Sequence, residues 1–483
     1  MKWSPYQQAV FNFCENETGN AIVEAVAGSG KTTTIVEALR RIEFQYADTL
    51  FLAFNKSIAE ELKGRGVNAR TFHSLTYGPV TKHLGIRSVD ANKNRKIMND
   101  IIPFNDFKIY GSFVTRLVGL AKQSGIACLV EDTEDEWYAI IEHHDLTLES
   151  ERGNVSRAVE LAREVFTIGN ETPLADFDDL LYLAVKEGIT LSKFDFIFVD
   201  EAQDTNAIQR AILRKALNKG ARMIAVGDPA QAIYGFRGSD SNSLNLIAEE
   251  FKCTRLPLTV SYRCPRKVVE YAQQWVSHIQ ASDAAPEGEV IQMGTGWSTS
   301  DILPGDMVIS RNTKPIIALA YKMMKNKGVA PYVLGRDIGV SMTSLIRKMN
   351  ADGIDGLIKR LDAWREREVE QALAKMQDAK VEQIEDKYAA IMCIIDGMEE
   401  GEDSRTIEEL ISIIYLLFED KANSAMLCTI HKSKGLESKR VFWMNSSKMP
   451  SNWARLAWQR EQEINLCYVA ATRAKETLIL IEE

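Results

Sequence analysis

Short apolar runs alternate with helix-like segments along the first 80 residues. Residues 21–26 and 49–54 are apolar runs of strand length, and a helical pattern at 33–40 lies between them. Strands buried in a parallel sheet are apolar on both faces, and a helix is their usual crossover connection. The pattern therefore predicts an α/β fold with a parallel sheet, whose ligands bind at the carboxyl ends of its strands.

The same patterning divides the rest of the chain into sheet-forming and helical parts. Apolar strands return at 194–199 and 223–226, and a second group lies at 306–310, 332–334, 426–430, 441–443 and 477–481. Residues 83–172 and 337–414 show helical spacing instead. We expect a first α/β domain from 1–82 and 173–253 with the helical insertion 83–172, and a second from 254–336 and 415–483 with the short helical insertion 337–414.

Composition narrows the class of protein. The 483 residues are 45% hydrophobic and 26% charged, as in globular enzymes. The seven cysteines are scattered without a C-x-x-C pair, which supports neither a disulfide framework nor a zinc site and favours a reducing interior. Without a long apolar run or a leader-like start, we expect no membrane association and a place in a bacterial or phage-infected cytoplasm, or in a nucleus.

Charge is unevenly distributed along the chain. The net charge of −9 argues against a protein that is basic all over its surface. Residues 421–483 nevertheless carry ten lysines and arginines against six acids. This part of the chain is therefore expected to bind phosphates in a salt-sensitive way.

A glycine-rich stretch with a Lys-Thr pair follows the first predicted strand. Residues 25–32 read Ala-Val-Ala-Gly-Ser-Gly-Lys-Thr, with Ala25 where the phosphate-loop pattern opens on Gly. Glycines let backbone N–H groups surround a phosphate at the N-terminus of the next helix. Lys31 is then expected to pair with the β- and γ-phosphates, and Thr32 to hold Mg²⁺. The predicted nucleotide-binding residues of this stretch are Ala27, Gly28, Ser29, Gly30, Lys31, Thr32 and Thr33; the alternative is a glycine-rich turn that binds nothing.

Two acidic residues follow the strand at 194–199. Asp200 is suited to hold Mg²⁺ through its water shell, and Glu201 to deprotonate the water that attacks the γ-phosphorus. An acidic pair after a strand is also common in solvated loops. We favour the catalytic interpretation because we expect this strand to lie beside the phosphate-loop strand.

Ordered motifs along the chain resemble those of the superfamily 1A DNA helicases of the UvrD/Rep/PcrA group. The resemblance begins at Val199-Asp200-Glu201-Ala202-Gln203-Asp204. Seven further stretches follow the group's motif order, at 4–10, 54–56, 71–74, 227–238, 261–264, 429–437 and 468–474. In the details of 54–56 and 71–75 the chain is most similar to the compact branch that includes the F-box DNA helicases. The resemblance implies two RecA-like P-loop domains and an ATP-dependent motor that requires Mg²⁺.

The resemblance also implies roles for individual residues around ATP. Gln7 is expected to read the adenine edge, and Tyr262 to stack on the base. Gln231 senses the γ-phosphate, and Glu437 accepts a hydrogen bond from the ribose. Arg263 and Arg473 of the second domain neutralise charge on the γ-phosphate in the transition state. A surface ion pair is the alternative for either arginine.

A second set of residues is expected to contact DNA. Phe54, Tyr234 and Phe236 follow predicted strands and are suited to stack on bases. The residues expected to hold backbone phosphates or sugars are Asn55, Lys56, His73, Arg237, Asn312 and His431. For each aromatic residue the alternative is a place in the core, and for His73 and His431 it is a structural histidine.

These features together predict a monomeric ATP-dependent DNA helicase that acts in replication, repair or recombination. It would move 3′–5′ on single-stranded DNA and unwind duplex junctions, with replication or recombination proteins as possible partners. The polarity follows from the resemblance, because no residue pattern sets it. Two alternatives stay open: a translocase that strips proteins from DNA, and a nucleotide-gated binding module. The strand-separating residue is not identified, although Trp453 and Trp458 lie in the region where the group places it.

Overall fold

Parallel strands organise both halves of the chain. The computed structural model describes residues 3–42, 48–148, 152–235, 238–239, 242–326, 328–374, 378–398, 406–420 and 422–482. Phe236 and Arg237, two of the expected DNA contacts, lie outside these ranges. The fold divides into a first unit, Met1–Thr259, and a second unit, Val260–Glu483.

The first unit contains one six-stranded parallel sheet in the order β3-β2-β6-β7-β1-β8, and a two-stranded ladder of β4 and β5. Its elements are α1 (Pro5–Asn16), β1 (Ala21–Ala25), α2 (Lys31–Arg41), β2 (Thr49–Leu52), α3 (Lys56–Gly64), β3 (Ala69–Arg70), α4 (Phe72–Leu84), β4 (Ser88–Val89), α5 (Lys93–Ile101), α6 (Phe104–Ser124), α7 (Glu134–His143), α8 (Val155–Glu171), β5 (Leu174–Ala175), α9 (Phe177–Lys186), β6 (Phe194–Val199), α10 (Ala207–Ala216), β7 (Leu217–Gly227), α11 (Ser243–Glu250) and β8 (Thr254–Leu258).

Both faces of this sheet are buried. On β6, Phe196 and Phe198 point into the cluster formed with α1, α2 and α3. Ile197 and Val199 point into the opposite cluster, formed with α6, α8 and α9. Alternation of the strand side chains between two apolar layers explains why the run at 194–199 is apolar except at Asp195, and it confirms the prediction of a buried parallel strand.

Two expectations about the strands are wrong. The strand β8, assigned from sequence to the second domain, pairs with β1 in the register Ala21↔Thr254. Its side chains are largely exposed, as at the edge of a sheet, so it lacks the apolar signal of a central strand. The strand β6 is not the neighbour of β1, because β7 lies between them and pairs with both.

Four helices, α5 to α8, occupy most of residues 83–172. Their apolar side chains share one buried cluster with a face of the sheet, including Trp137, Phe166 and Ile197. Near the two ends of this region, β4 pairs in parallel with β5, in the register Ser88↔Leu174. The expected helical insertion is thus packed directly on the sheet domain.

Two lysines and two aspartates are buried together between these helices and α9; we call Lys93, Lys122, Asp176 and Asp179 the buried quartet. Lys93 Nζ lies 2.5 Å from Asp179 Oδ2 and donates to the Gly169 carbonyl at 2.5 Å. Lys122 Nζ lies 2.8 Å from Asp176 Oδ2 and 2.7 Å from Asp179 Oδ1. Burial opposes the charge on Lys122, but the two aspartates outweigh it and raise the lysine pKa.

The second unit contains another six-stranded parallel sheet, in the order β11-β16-β15-β12-β14-β13, and a ladder of β9 with β10. Its elements are β9 (Val260–Ser261), α12 (Arg266–Ala272), β10 (Gln280–Ala281), β11 (Glu289–Gly294), β12 (Met307–Ser310), α13 (Thr313–Lys325), β13 (Pro331–Val333), α14 (Arg336–Met349), α15 (Ile354–Ala374), α16 (Asp378–Gly397), α17 (Ile407–Leu417), β14 (Ala425–Thr429), α18 (Ile430–Ser433), β15 (Ser438–Met444), α19 (Ala457–Ala471) and β16 (Ala474–Ile481).

Helices α14 to α17 cover residues expected to form the second insertion. Leu357, Leu361 and Ile391 are buried in the cluster that includes Val308 and Leu427 of the sheet. These helices therefore pack on the sheet as well. Among the residues described, no helix combines the length and apolar character that crossing a membrane requires.

The buried quartet gives a test of how the helical region is held. We expect Asp179→Ala to lower the free energy of unfolding by about 3–5 kcal/mol, because it leaves two buried ammonium groups with too little opposing charge. Urea denaturation followed by circular dichroism measures this change. Asp100→Ala, at an exposed carboxylate of α5, should cost less than about 0.5 kcal/mol. A similarly small effect of both substitutions would contradict the role given to the quartet.

Candidate nucleotide and nucleic-acid sites

The loop between β1 and α2 has the backbone of a phosphate site. Gly28 and Gly30 have φ values of 71° and 75°, which residues with a Cβ rarely adopt. Gly30 precedes the first turn of α2, where no side chain caps the helix. Ser29 Oγ is buried and has no hydrogen-bond partner among the described residues. The N–H groups at this helix end are therefore suited to an anion.

Gln7 lies beside this loop, but its amide is engaged within the protein. Its Nε2 donates to Thr34 Oγ1 at 3.0 Å, and its Oε1 accepts from the Ser4 backbone N–H at 3.0 Å. The second contact forms part of a capping box at the start of α1. The structure thus places Gln7 next to the phosphate loop, with a clear structural role besides the predicted reading of adenine.

The start of α2 meets the end of β6. Thr32 Oγ1 donates to Asp200 Oδ2 at 3.0 Å, and Lys31 Nζ lies 3.7 Å from Glu201 Oε1. Glu201 has a left-handed backbone, with φ of 51°, and its N–H donates to Asp200 Oδ1 at 2.9 Å. The four residues that the sequence singles out for phosphate, metal and water chemistry are therefore in mutual contact.

A second group of polar residues lies behind Glu201. Gln203 is buried and donates to Glu201 Oε2, while its Oε1 accepts from the Asp228 N–H at 3.1 Å. Asp228 Oδ2 accepts from Gln231 Nε2 at 2.7 Å. A Cβ at position 227 would lie 2.5 Å from Gln203 Oε1, so the glycine of that position allows this contact. The predicted γ-phosphate sensor Gln231 is thereby linked to Glu201.

The buried carboxyl groups of the first unit have perturbed acidity. Burial, with the nearby charge of Glu201, raises the pKa of Asp200 to about 6 against the opposing effect of Lys31. Burial likewise raises the pKa of Asp228 to about 6, although Lys31 and a hydrogen bond from Gln231 favour its charged form. A cation that binds beside a carboxyl group with a raised pKa stabilises its charged form. Both carboxyl groups are therefore favourable neighbours for additional positive charge.

Thr32 and Asp200 fit the oxygen-ligand chemistry of Mg²⁺. A hydroxyl and a carboxylate lie 3.0 Å apart at the phosphate loop. The described part of the chain contains no cluster of three or more His, Cys, Asp or Glu residues that would hold a metal alone. Mg²⁺ commonly binds through one or two protein oxygens together with phosphate oxygens and water, which matches this sparse set.

The residues expected around ATP in the second unit form their own contacts. Arg263 Nε donates to Glu437 Oε2 at 2.6 Å, and Lys475 Nζ donates to Glu437 Oε1 at 3.1 Å. Burial opposes ionisation of Glu437, but Arg263 and Lys475 outweigh it and lower the glutamate pKa. Tyr262 next to them is 46% exposed, as a ring that stacks on a base must be.

Arg473 is placed differently from Arg263. Its guanidinium is buried and donates to the carbonyls of Val469 and Leu436 and to Thr472 Oγ1, at 2.8, 3.1 and 3.1 Å. These bonds link α19 to the segment that precedes β15. In this structure Arg473 therefore holds the second unit together, in addition to the phosphate contact that the sequence predicts.

Two aromatic rings that the sequence assigns to DNA form one surface in the first unit. Phe54 is 47% exposed and lies parallel to Tyr234, with ring centroids 6.3 Å apart and an interplanar angle of 8°. Asn55 caps α3 by accepting from the Ile58 N–H at 2.9 Å. The ammonium group of Lys56 is exposed and lies 3.5 Å from Glu60. Phe54 is not a core residue, so the alternative interpretation of it is wrong.

His73 contacts an aromatic residue that the sequence analysis did not identify. The ring of Phe177, 59% exposed at the start of α9, makes an edge contact with His73 at 6.1 Å. Burial lowers the pKa of His73, against the effect of a hydrogen bond with the Phe177 backbone, so the imidazole is neutral near pH 7. Exposure of a large apolar ring is the signal that identifies Phe177, and it is visible only once α9 is placed against α4.

Asn312 and His431 lie at strand ends of the second sheet. Asn312 Nδ2 donates to Glu382 Oε1 at 3.0 Å, and the next two backbone N–H groups donate to Asp386 at 2.8 and 2.7 Å. His431 belongs to α18, directly after β14, and is half-buried. Asn312 is therefore bound to Glu382 of α16, a contact that the sequence did not predict.

Asp228 and Gln203 are the buried polar residues of the nucleotide site that sequence reasoning left without a role. Asp228 follows β7 as Asp200 follows β6, so its place after a strand was an available signal. Gln203 offered no comparable signal, because its importance depends on reaching Glu201 and Asp228 at once. Both residues lie within motifs that the sequence analysis matched as a whole.

Two family models match the chain, and each match lies within one of the two units. A model of the UvrD/REP helicase N-terminal domain matches residues 3–252. A model of the UvrD-like helicase C-terminal domain matches residues 340–483. Together the two matches contain the phosphate loop, the acidic pair after β6 and the two final motifs of the sequence analysis.

Individual relatives match nearly the whole of this chain or about half of it. F-box DNA helicase protein 1 of Schizosaccharomyces pombe is 25% identical over 98% of the chain and 57% of its own length. F-box DNA helicase 1 of Gallus gallus is 26% identical over 99% of the chain and 49% of its own length. ATP-dependent DNA helicase srs2 of S. pombe is 28% identical over 52% of the chain and 32% of its own length. The chain thus spans about half the length, or less, of these curated relatives.

The raised pKa of Asp228 predicts how a neutral substitute changes stability with pH. Its folded pKa of about 6 exceeds the ordinary 3.8, so the unfavourable burial of charge is fully present above pH 6 and disappears towards pH 4. We expect Asp228→Asn to raise the free energy of unfolding by about 1–3 kcal/mol at pH 7.5 and by little at pH 4. Urea unfolding between pH 4 and 8 tests this, with Asp100→Asn as the control, and a difference that does not vary with pH would contradict it.

Proposed function

Because the chain belongs to the UvrD/REP helicase family, we propose that it is an ATP-dependent DNA helicase that moves 3′–5′ on single-stranded DNA and unwinds duplex. The observation that carries the proposal is the contact of Lys31 and Thr32 with Asp200 and Glu201 at one edge of the first sheet. Two independent segments, 170 residues apart in sequence, supply the parts that hydrolysis of a nucleoside triphosphate requires.

Within this function the four residues divide the work on ATP and Mg²⁺. Lys31 binds the β- and γ-phosphates, and Thr32 and Asp200 hold the metal, which when bound neutralises charge on the phosphates. Glu201 accepts a proton from the attacking water, and its hydrogen bond from Gln203 orients the carboxylate. Transfer of Lys31 from Glu201 to the nucleotide leaves that carboxylate available as the base.

The second unit supplies the remaining nucleotide contacts in this proposal. Arg263 and Arg473 neutralise the γ-phosphate in the transition state, Tyr262 stacks on the base and Glu437 binds the ribose, while Gln7 of the first unit reads adenine. The pairing of Arg263 with Glu437 supports a shared site for these two side chains. Arg473 has to exchange at least one of its present acceptors for a phosphate oxygen.

Single-stranded DNA is the proposed polymer substrate. The exposed, nearly parallel rings of Phe54 and Tyr234, and the contact of His73 with Phe177, support stacking of bases on the first unit. The residues proposed to contact backbone phosphates or sugars are Asn55, Lys56, His73, Arg237, Asn312 and His431. Phe236 is proposed to stack on a base. We propose that the protein acts as a monomer at duplex junctions, together with replication or recombination proteins. Its proposed location is the cytoplasm of a bacterial or phage-infected cell, or the nucleus.

Strand release from partial duplexes tests the function. Substrates with either a 3′ or a 5′ single-stranded tail should be unwound with ATP only when the tail is 3′. ATP-dependent removal of a protein roadblock without strand release would support the protein-stripping translocase instead. Absence of DNA-stimulated ATP hydrolysis would overturn both and favour a nucleotide-gated binding module.

The role of Glu201 as the base can be tested separately from ATP binding. We expect Glu201→Gln to bind ATP normally and to lower DNA-stimulated turnover by about 10²–10⁴-fold, because the amide cannot accept the proton. Steady-state hydrolysis and equilibrium nucleotide binding measure the two effects. Glu164→Gln, exposed on α8, serves as the control, and near-normal turnover of the Glu201 variant would refute the assignment.

Stacking on Phe54 predicts a specific loss of DNA affinity. We expect Phe54→Ala to weaken binding to an oligothymidine by about 1–3 kcal/mol, because one base loses its aromatic platform. Fluorescence anisotropy measures the affinity in the absence of nucleotide. Phe104→Ala removes another exposed ring, at the start of α6, and should have no effect. Equal affinities of the Phe54 variant and the unmodified chain would eliminate the stacking role.

A further inference from the structure

Gln123, in the last turn of α6, touches two parts of the first unit that serve different ligands in the proposed function. Its Nε2 donates to Asp178 Oδ1 at 3.1 Å, in the first turn of α9. Its Oε1 lies against Gly238, in the segment that follows β7. One amide side chain thus joins the N-terminus of α9 to Gly238.

Asp178, to which Gln123 donates, adjoins the aromatic contact between Phe177 and His73. Asp178 lies between Phe177, which makes the edge contact with His73, and Asp179 of the buried quartet. The ion pairs and hydrogen bonds of the quartet connect α5, α6, α8 and α9. These helices hold fixed positions relative to one another, because separating them would leave a buried charge without its partner. Because Phe177 and Asp178 are consecutive residues of α9, a movement of the backbone at Phe177 also moves the carboxylate to which Gln123 is bound.

The contact with Gly238 leads in the other direction. A Cβ at this position would come within 1.9 Å of Gln123 Oε1, and the φ of +86° also favours glycine. The neighbouring Ser239 Oγ donates to the Asp204 carbonyl at 2.9 Å, directly behind the acidic pair of the nucleotide site. Asp204 adjoins Gln203, whose amide donates to Glu201. Gly238 and Ser239 are thus attached to the residues that lie behind the acidic pair.

Gln123 also has an unused hydrogen-bonding group. Its Oε1 is buried and accepts no hydrogen bond from the described residues. A cavity of about 260 Å³ opens beside it, lined by residues of α6, α7, α10 and by Gly238 and Ser239. An unsatisfied buried acceptor costs free energy, so a movement of the groups around Gln123 can improve its hydrogen bonding.

We propose that Gln123 is a positioning residue that couples the nucleic-acid surface around Phe177 and His73 to the nucleotide site. A strand that binds at Phe177 moves Asp178 and Gln123 together, and Gln123 shifts Gly238 and Ser239. Through the bond of Ser239 to Asp204, this shift reaches Gln203 and the carboxylate of Glu201. Gln123 touches neither ATP nor DNA in this scheme. The inference rests on the proposed function, because it explains how DNA stimulates the hydrolysis assigned to the first unit.

The test compares ATP hydrolysis by the full 483-residue chain with and without DNA. We expect Gln123→Ala to lower the maximal rate with saturating oligothymidine at least fivefold. The rate without DNA and the oligothymidine concentration for half-maximal stimulation should each change less than twofold. Asn105→Ala removes an exposed amide from the same helix and should change none of the three quantities.

Substitutions at Asp178 separate coupling from a loss of fold. Asp178→Leu removes the acceptor and should reproduce the defect, and adding it to Gln123→Ala should cause no further loss. Asp178→Asn keeps an acceptor for Gln123 and should retain at least half of the stimulation. Parallel loss of the rates with and without DNA, or full stimulation of Gln123→Ala, would overturn the coupling. An unmodified chain whose hydrolysis is not stimulated by DNA would instead overturn the proposed function.

Discussion

The contact between Thr32 and Asp200 is the constraint on which the first unit depends. The carboxylate is 5% exposed and is accommodated by a hydroxyl, by the ammonium group of Lys31 and by the backbone N–H of Glu201. A buried carboxylate with fewer partners would be protonated or would displace its surroundings. The phosphate loop and the end of β6 must therefore be in contact. The strand order, the crossover helices and the glycines of the loop together make this contact possible.

The apolar runs made much of the architecture predictable from sequence. Residues 194–199 had to form a strand buried on both faces, and the glycines at 28 and 30 had to occupy backbone conformations that other residues avoid. The edge strand β8 was missed because exposed positions such as Arg255 hide its pairing with β1. The order of β1, β7 and β6 could not be predicted from local patterns either. Which parallel strands become neighbours depends on the long-range packing of the crossover helices.

At the candidate sites, the residues that act directly were easier to predict than the residues that orient them. Lys31 and Glu201 have charged side chains whose proposed roles follow from their residue type, and both lie close to the end of a predicted strand. Gln203 and Gln123 have side chains that are common throughout proteins, and each matters because it contacts two separate groups. Phe177 matters because its exposed ring lies against His73. Such bridging roles depend on tertiary geometry, which spacing along the chain does not encode. The buried attachment of Arg473 was missed for the same reason.

The pairing of β1 has a consequence for how the chain folds. Residues 21–25 pair with residues 224–227 on one side and with residues 254–258 on the other. During synthesis the strand that precedes the phosphate loop therefore waits for more than 230 further residues before both of its edges can be hydrogen-bonded. Pairing over such a sequence separation is slow, and an unpaired apolar strand is prone to aggregate meanwhile. The helices between residues 56 and 216 can form from local contacts during this interval, and they offer β1 an apolar surface before its neighbours arrive.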